Sequence, residues 1–366
     1  MEFSSLENPP GGGAELGTSL PASPPAPVYA DRSTGLLIFG ILEIIGGALA
    51  FFAIPLMLLG LVLGRRAGGA TPASSFVTLP LTYGALAAVL LTLGIGATQA
   101  KRWAWALNLI LSWIWLIVGT LTTAMLVWVL PGAMLSGMRE AAARNANPAA
   151  PTTGVMAVIL TLMIVFMAIF LIVLPVVFLL FYRSRNVELT CKYRDPVERW
   201  TDRRPLPIVG YAIVAAFGAA YYLVLAFTTP LTPFFGRYLT GIPAAAVFIV
   251  FALVDAFVSV SFFRMKVAGW WVAIVALSIR LLAALLTIGR GNLLEAYARI
   301  GWSQRQLEVL NKNPMFHGAG MLWMMVTFTA VYLGFLIWVR RYFRPTVPPS
   351  YTETATAISS STPTGF

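Results

Sequence analysis

The sequence predicts an all-α integral membrane protein with eight transmembrane helices, arranged as two tandem four-helix repeats in the same orientation. Three observations support this prediction. Hydrophobic residues make up 58% of the 366 residues and charged residues only 11%, a composition far from that of a soluble domain. The apolar residues fall into eight runs of membrane length, and the last four runs echo the first four.

A hydrocarbon core of about 30 Å requires roughly 20 apolar residues in a helix, which satisfies its own backbone groups in lipid. Runs of this length predict spans at residues 34–64, 76–98, 103–130, 154–182, 206–228, 242–263, 267–288 and 320–342. Three of the first four exceed this length, so tilting or kinks at Pro55 or Pro175 would have to accommodate them. The sequence leaves open whether the first helix ends at Pro55 or continues to Gly64.

The remaining segments divide the chain. Residues 1–33 and 345–366 are rich in Pro, Ser, Gly, Ala and Thr, so we expect disordered cytoplasmic tails. Residues 34–182 and 206–344 are the two predicted membrane repeats, and residues 183–205 form a cytoplasmic linker loop between them. Eight spans place both tails on one side of the membrane.

Basic residues predict which side this is. Fifteen Lys and Arg residues lie in the tails and in the loops on the same side, whereas nine lie in the opposite loops. The bias favours both termini in the cytoplasm of a bacterial cell, with the protein in its cytoplasmic membrane. The net charge of +11 therefore indicates topology first, with anionic lipid headgroups as possible contacts of the basic loops. Nucleic acid is not an expected partner.

Two local patterns recur in both halves. A short basic turn enters an aromatic-led helix at Lys101-Arg102-Trp103-Ala104-Trp105 and again, 165 residues later, at Lys266-Val267-Ala268-Gly269-Trp270. An Asn-x-Asn-Pro motif follows the third helix of each half, at 145–148 and 311–314. Because positive-inside bias does not demand that motif, it favours a true repeat, whose halves would be related by a pseudo-twofold axis along the membrane normal.

Three charged residues lie well inside the predicted spans: Glu43, Asp255 and Arg280. A charge at the bilayer centre costs on the order of 3 kcal/mol, so such residues usually have a partner. Helical rise places Asp255 about 13 Å and Arg280 about 21 Å from the cytoplasmic turn between their helices, which predicts an ion pair near the midplane. We expect Glu43 to share this layer and Trp115, which aligns with Arg280 in the repeat, to stack on its guanidinium. This group is either a binding pathway or a packing device.

The linker between the repeats carries the run Trp200-Thr201-Asp202-Arg203-Arg204-Pro205-Leu206-Pro207. Over about a dozen residues it resembles the cytoplasmic loop of uncharacterised bacterial multi-pass membrane proteins, and this resemblance implies no activity. Trp200, Asp202 and Arg203 are candidate contacts for a cytoplasmic partner or a lipid headgroup. The alternative is a plain linker that also sets orientation.

The composition argues against a disulfide, a metal site and catalysis. With one cysteine, Cys191, and one histidine, His317, the chain lacks a disulfide and any Cys or His cluster for a metal, and we expect no cofactor and no enzymatic activity. Polar residues are scarce in the spans, which favours a non-enzymatic scaffold, sensor or accessory membrane subunit. The alternative is a transporter or channel for a lipid-like or small solute that uses the midplane charges.

Overall fold

The structure, a computed structural model, describes residues 29–66, 75–143, 153–228, 230–302, 304, 307–308, 311 and 318–343. Eight helices in this part are long and apolar enough to cross a membrane. They coincide with the eight predicted spans, which confirms a membrane-embedded, predominantly helical protein. Residues 1–28 of the first tail, all of the second tail and five residues of the two Asn-x-Asn-Pro motifs, Asn145, Asn147, Pro148, Asn313 and Pro314, lie outside the described residues.

The first half contains four spans, and a short helix follows them. Helices α1 (Ser33–Arg66), α2 (Ser75–Thr98) and α3 (Arg102–Ala143) are followed by α4 (Thr153–Ala168), which continues through a π-helical turn (Ile169–Val173) into α5 (Leu174–Tyr182). Helix α1 runs through Pro55 without ending. The linker predicted as a loop instead begins with a helix, α6 (Arg185–Arg194).

The π turn has a local cause. Pro175 has no N–H, so it cannot bond the carbonyl of Leu171 one turn earlier, and the Leu174 N–H bonds Ile169 O instead. The carbonyl of Leu171 approaches α3 so closely at Gly119 that an added Cβ there would overlap the carbonyl oxygen. Glycine at 119 thus gives the displaced carbonyl the space it needs.

The second half consists of α7 (Leu206–Thr228), α8 (Ile242–Phe263), α9 (Val267–Arg290), α10 (Leu293–Arg299) and α11 (Gly318–Val339), which ends in a 3-10 turn (Arg340–Phe343). A hairpin of two antiparallel strands, β1 (Leu231–Phe234) and β2 (Arg237–Thr240), joins α7 to α8. This hairpin was not predicted. Its two-residue turn has positive φ at both Phe235 and Gly236, as twisted hairpins require.

The turns between the second and third spans of each half have the same geometry. Ala100 and Met265, which are 165 residues apart, both adopt positive φ, at 51° and 56°. In each turn the N–H of the following lysine bonds a carbonyl five residues back, from Lys101 to Gly96 and from Lys266 to Ser261. This is the Schellman termination of a helix, formed here without glycine at the left-handed residue.

The helices after these turns also make corresponding contacts. Trp105 Nε1 donates to the carbonyl of Tyr182 at 2.8 Å, and Trp270 Nε1 donates to the carbonyl of Leu336 at 2.7 Å. The residue before each acceptor stacks on the first helix of its half. Phe181 lies on Phe39 with an interplanar angle of 17°, and Phe335 lies on Tyr211 at 19°.

At each of these turns the two connected helices approach closely at a glycine. This glycine precedes the turn in the first half and follows it in the second. An added Cβ on Gly96 would lie 2.6 Å from Ala104 Cβ, and an added Cβ on Gly269 would overlap Ser261 Cβ. At an offset of 165, Gly96 corresponds to Ser261 and Ala104 to Gly269. Each contact therefore pairs one glycine with one small residue. The glycine lies before the turn in the first half and after it in the second, and the two helices approach closely in both.

Candidate intramembrane and cytoplasmic sites

Glu43 forms a closed ring of hydrogen bonds inside the first half. The Tyr182 hydroxyl donates to Glu43 Oε1 at 3.0 Å, and Asn108 Nδ2 donates to Glu43 Oε2 at 3.1 Å. Asn108 Nδ2 also donates to the Tyr182 hydroxyl oxygen at 3.1 Å. All three side chains are buried, with Glu43 only 3% exposed. We call these residues the Glu43 triad.

Neighbouring contacts fix the position of the triad. Its members come from α1, α3 and α5, and the indole of Trp105, one turn before Asn108, holds the backbone carbonyl of Tyr182. Phe39, one turn before Glu43, packs on the ring of Tyr182 at a centroid distance of 6.1 Å. The triad is therefore assembled by the same helix contacts that close the first half.

The predicted pairing of Asp255 with Arg280 is present in the second half. Arg280 Nη2 donates to Asp255 Oδ1 at 2.7 Å and Nη1 donates to Oδ2 at 3.4 Å, so the contact is bidentate. The side chains are 22% and 16% exposed. Gly218 on α7 makes room for the carboxylate, since an added Cβ would lie 3.0 Å from Asp255 Oδ2.

The aromatic rings around Arg280 do not include that of Trp115, which was predicted to stack on it. Its guanidinium carbon lies 5.0 Å from the ring centre of Tyr222 and 4.5 Å from that of Phe251. Trp115 instead packs on Phe170 and Phe178, at centroid distances of 5.4 and 6.1 Å. The predicted stacking of Trp115 on Arg280 is therefore wrong, because aromatic residues on the adjacent helices α7 and α8 are closer to the arginine.

Glu43 does not join the ion pair. Its partners are Asn108 and Tyr182 in the first half, whereas Asp255 and Arg280 contact each other in the second. Asn108 lies three residues after Trp105, but Arg280 lies ten after the corresponding tryptophan, which places the arginine about 10 Å further along its helix. The single shared layer predicted from the sequence is instead two separate polar sites.

Sequence reasoning missed Asn108, Tyr182, Tyr222 and Phe251 as members of these sites. The three charged residues stand out because charge is rare in a span, whereas a tyrosine or a single asparagine there usually bonds to the backbone or to a neighbouring helix and does not by itself indicate a site. Asn108 and Tyr182 lie 65 and 139 residues from Glu43. Only the tertiary contacts connect them.

The linker between the halves, residues 183–205, contacts the α2–α3 turn of the first half. Asp195 is 5% exposed and accepts the backbone N–H of Arg102 at 3.3 Å. Asp202 lies 3.6 Å from Arg102 Nε and also accepts the backbone N–H of Arg199 at 2.8 Å. Asp202, a candidate partner contact from the sequence, is thus part of an internal network.

The same linker also contacts the α8–α9 turn of the second half. Arg204 Nε donates to the carbonyl of Phe263 at 2.5 Å, and the guanidinium lies 3.9 Å from the ring centre of Phe263. Trp200 packs on that ring at 5.8 Å and remains 42% exposed. Arg203 is exposed between these two contacts. Of the three predicted linker residues, Trp200 and Arg203 therefore keep surface for a partner.

Helix α6 contacts the start of α1 through a hydrogen bond and an ion pair. The backbone N–H of Arg32 donates to Thr190 Oγ1 at 3.1 Å, and Arg194 pairs with Asp31 at 3.4 Å. The backbone N–H and the hydroxyl of Ser33 donate to Asp31, and the backbone bond, as the larger effect, lowers the pKa of this carboxyl. Cys191 is fully buried under this contact, and burial raises the pKa of its thiol to about 12.

Among the described residues, no group of three or more His, Cys, Asp and Glu side chains is placed to hold a metal ion. Comparison with protein families, with curated proteins and with solved structures gave no match to this chain. What the sites can do therefore rests on their own geometry: one neutralised ion pair, one buried carboxyl held by two hydrogen-bond donors, and one linker that contacts both halves.

Proposed function

We propose that this protein is a non-enzymatic scaffold or accessory subunit of a bacterial cytoplasmic membrane, with its spans acting as one rigid frame and its cytoplasmic face as the contact surface. The observation that carries this proposal is that Glu43, Asp255 and Arg280 each have a partner on a neighbouring helix of the same half. A pathway for a hydrophilic solute would need a continuous series of polar groups through the spans. The three charged residues instead contact partners within two separate sites, one in each half.

The linker network supports a frame role. Asp195 and Asp202 hold the α2–α3 turn, and Arg204 holds the α8–α9 turn, so one segment of 23 residues, 183–205, ties both halves at their cytoplasmic ends. Trp200 and Arg203 sit on the outside of that segment and are the residues we propose for contact with a protein partner. Anionic lipid headgroups are the proposed contacts of the surrounding basic side chains.

We further propose the architecture on which this frame rests: two tandem four-helix repeats in the same orientation, with both termini in the cytoplasm. The paired positive-φ turns, the paired indole-to-carbonyl bonds and the paired ring stacks support the repeat. The excess of basic residues beside the linker and tails supports the orientation. Each half would then be one copy of an ancestral four-span unit.

A second candidate function, transport of a lipid-like solute, is favoured by one feature. A small apolar cavity between α3 and α4 is lined by Leu126, Met163 and Met167 and by Thr123. The Thr123 hydroxyl is buried without a hydrogen-bond partner in the described part of the chain. A short segment of an acyl chain beside its ester group would fit such a cavity, and the ester carbonyl oxygen could accept that bond.

Native mass spectrometry of the full chain, extracted from its own membrane in a mild detergent, separates the two functions. The scaffold proposal predicts a protein partner at fixed stoichiometry that is lost in Trp200→Ala combined with Arg203→Ala. A bound lipid without any protein partner would contradict it. Flux of that lipid in proteoliposomes, reduced when Thr123→Val removes the hydroxyl, would establish the transporter instead.

A further inference from the structure

We infer that the Glu43 triad is a proton-binding site, at which the carboxyl of Glu43 takes up and releases one proton inside the first half. This inference does not rest on the scaffold proposal, because it concerns the chemistry of the triad alone. It assigns a ligand, the proton, to a group of three side chains that helix packing by itself does not require.

The first argument is the balance of charge. The two partners of Glu43 in the described part of the chain are an amide and a phenol, and neither carries a positive charge. Asp255, by contrast, faces a guanidinium at 2.7 Å. A carboxylate that is 3% exposed and lacks a cation is costly in a membrane interior, and binding a proton removes that cost.

The second argument is the space available. The three polar groups contact one another directly, at 3.0 to 3.1 Å, and fill the site with their own hydrogen bonds. A metal ion needs several oxygen ligands arranged around a vacant centre, and the triad has no such centre. A proton adds no volume. It requires only that the Asn108 amide turn its oxygen toward the new O–H, a rotation that exchanges groups of the same size.

The third argument comes from the second half, where the corresponding positions are apolar. Leu336 accepts the indole bond of Trp270 as Tyr182 accepts that of Trp105. Ala273 lies three residues after Trp270, as Asn108 does after Trp105. Ala215 lies four residues after the stacked ring of Tyr211, as Glu43 does after that of Phe39. These three residues, Ala215, Ala273 and Leu336, are all buried.

The same helix contacts therefore form around an Ala, Ala and Leu combination in one half and a Glu, Asn and Tyr combination in the other. Replacing a buried polar group together with its partners by well-packed apolar residues is often neutral or stabilising. Packing thus does not explain why the first half contains a carboxyl at this point. A titratable function for that carboxyl does.

Few other ionisable groups face the triad. Helix α5 contributes Tyr182 itself, and α6 contributes Cys191, which is buried in the same cluster as Tyr182. The one titratable residue of α2 is Tyr83. Its neighbour Gly84 contacts Ile54 of α1, and Ile54 lies about 16 Å along that helix from Glu43, so Tyr83 is remote from the triad. The charges at the cytoplasmic ends of α3 and α6 are engaged elsewhere, in the pairs Arg102–Asp202 and Arg194–Asp31.

The test is infrared difference spectroscopy of the full-length protein in lipid nanodiscs, titrated with pH in H₂O and in D₂O. Protonated carboxyls absorb at a C=O frequency that carboxylates lack. We expect one band that disappears on alkalinisation, shifts in D₂O and is lost entirely in Glu43→Gln. The matched control, Glu295→Gln, removes an exposed carboxyl on α10 and leaves that band in place.

Tyr182→Phe provides an independent reading that also serves if Glu43→Gln does not fold. Removing the hydroxyl takes a hydrogen bond from the Glu43 carbonyl, so the band should move to higher frequency while keeping its size. The inference is overturned if the buried band is missing at every pH, if it is insensitive to pH, or if Tyr182→Phe leaves its frequency unchanged. A titration that moves with Na⁺ concentration at constant ionic strength would overturn it in favour of a cation site.

Discussion

The intramembrane acids of this protein are stabilised by different chemistry. Asp255 has a cation as its partner, with two hydrogen bonds from Arg280 and two aromatic rings around the guanidinium. Glu43 has two neutral donors, Asn108 and Tyr182, as its partners in the part of the chain that the structure describes. A buried pair is costly to break from one side, because the remaining charge keeps its desolvation penalty without its partner.

A double-mutant cycle on the ion pair tests this reasoning. Arg280→Leu and Asp255→Leu should each lower the free energy of unfolding by about 3 kcal/mol, whereas the double variant should lose much less than the sum. Unfolding in mild detergent, followed by circular dichroism, measures the effect. The exposed pair Arg299–Glu295 is the control, and its removal should change stability by less than about 0.5 kcal/mol. Additive losses at Asp255 and Arg280 would contradict the pairing.

The buried thiol gives a second prediction for a single residue. In the folded protein Cys191 should react with maleimide at pH 8 at least about 100-fold more slowly than after unfolding, because it is buried and its pKa is about 12. The unfolded chain releases this proton above about pH 8.5. The stability that the raised pKa contributes is therefore complete below that pH and falls as the pH rises toward 12. Rapid labelling of the native protein would contradict the burial.

At the scale of the elements, the turns between the second and third spans are the most informative feature. Each turn brings two helices so close that one contact residue must be glycine, and the glycine is at position 96 in one half and 269 in the other. Trp103 lies beside Gly96, with its ring 2.8 Å from an added Cβ, whereas the corresponding residue of the second turn is Ala268. The two turns are thus alternative solutions to one packing requirement.

Transplanting one solution into the other half tests their equivalence. Gly96→Ser should destabilise the protein by about 1–3 kcal/mol, because the new side chain overlaps Ala104 and Trp103. Adding Trp103→Ala and Ala104→Gly reproduces the Ser261, Ala268 and Gly269 combination and should restore most of that loss. Thermal unfolding of the single and triple variants is the measurement.

Gly334→Ala serves as the control for this transplant, since an added Cβ there meets nothing within 4 Å. It should leave stability unchanged or raise it slightly through helix propensity. A triple variant no more stable than Gly96→Ser would count against the correspondence of the two turns.

At the scale of the whole molecule, the linker is a segment that contacts both halves at the same end of the spans. It contacts Arg102 in the first half and Phe263 in the second, and its helix α6 holds the start of α1. The β1–β2 hairpin lies at the opposite ends of the spans, where Gly236 N donates to Thr287 Oγ1 of α9 at 3.1 Å. The linker and hairpin therefore mark the two faces of the protein.

Single cysteines on these faces test the proposed orientation. In a Cys191→Ser background, Glu198→Cys on the linker and Arg237→Cys on the hairpin place thiols at exposed positions. A membrane-impermeant maleimide should label the hairpin cysteine in intact cells and the linker cysteine only in inverted vesicles. The reverse pattern would place the termini outside the cytoplasm.

The span positions, the Asp255–Arg280 pair and the recurring turn could all be predicted from the sequence. Each depends on local information: hydrophobic length, the rarity of charge in a span, and the short turn that brings α8 and α9 together. The hairpin was missed because its strands are only four residues long. The Glu43 triad was missed because an asparagine and a tyrosine carry no signal of their own in an apolar helix.

The sequence by itself determined that this protein is embedded in a membrane through eight helices, because backbone hydrogen bonding in lipid leaves long apolar runs no other form. It also determined which residues would need partners. Only the tertiary structure decided which partners they have, since helices in lipid select their neighbours by side-chain fit rather than by hydrophobicity. That fit placed Arg280 against Tyr222 and Phe251 instead of Trp115, and it separated Glu43 from the ion pair in a site of its own.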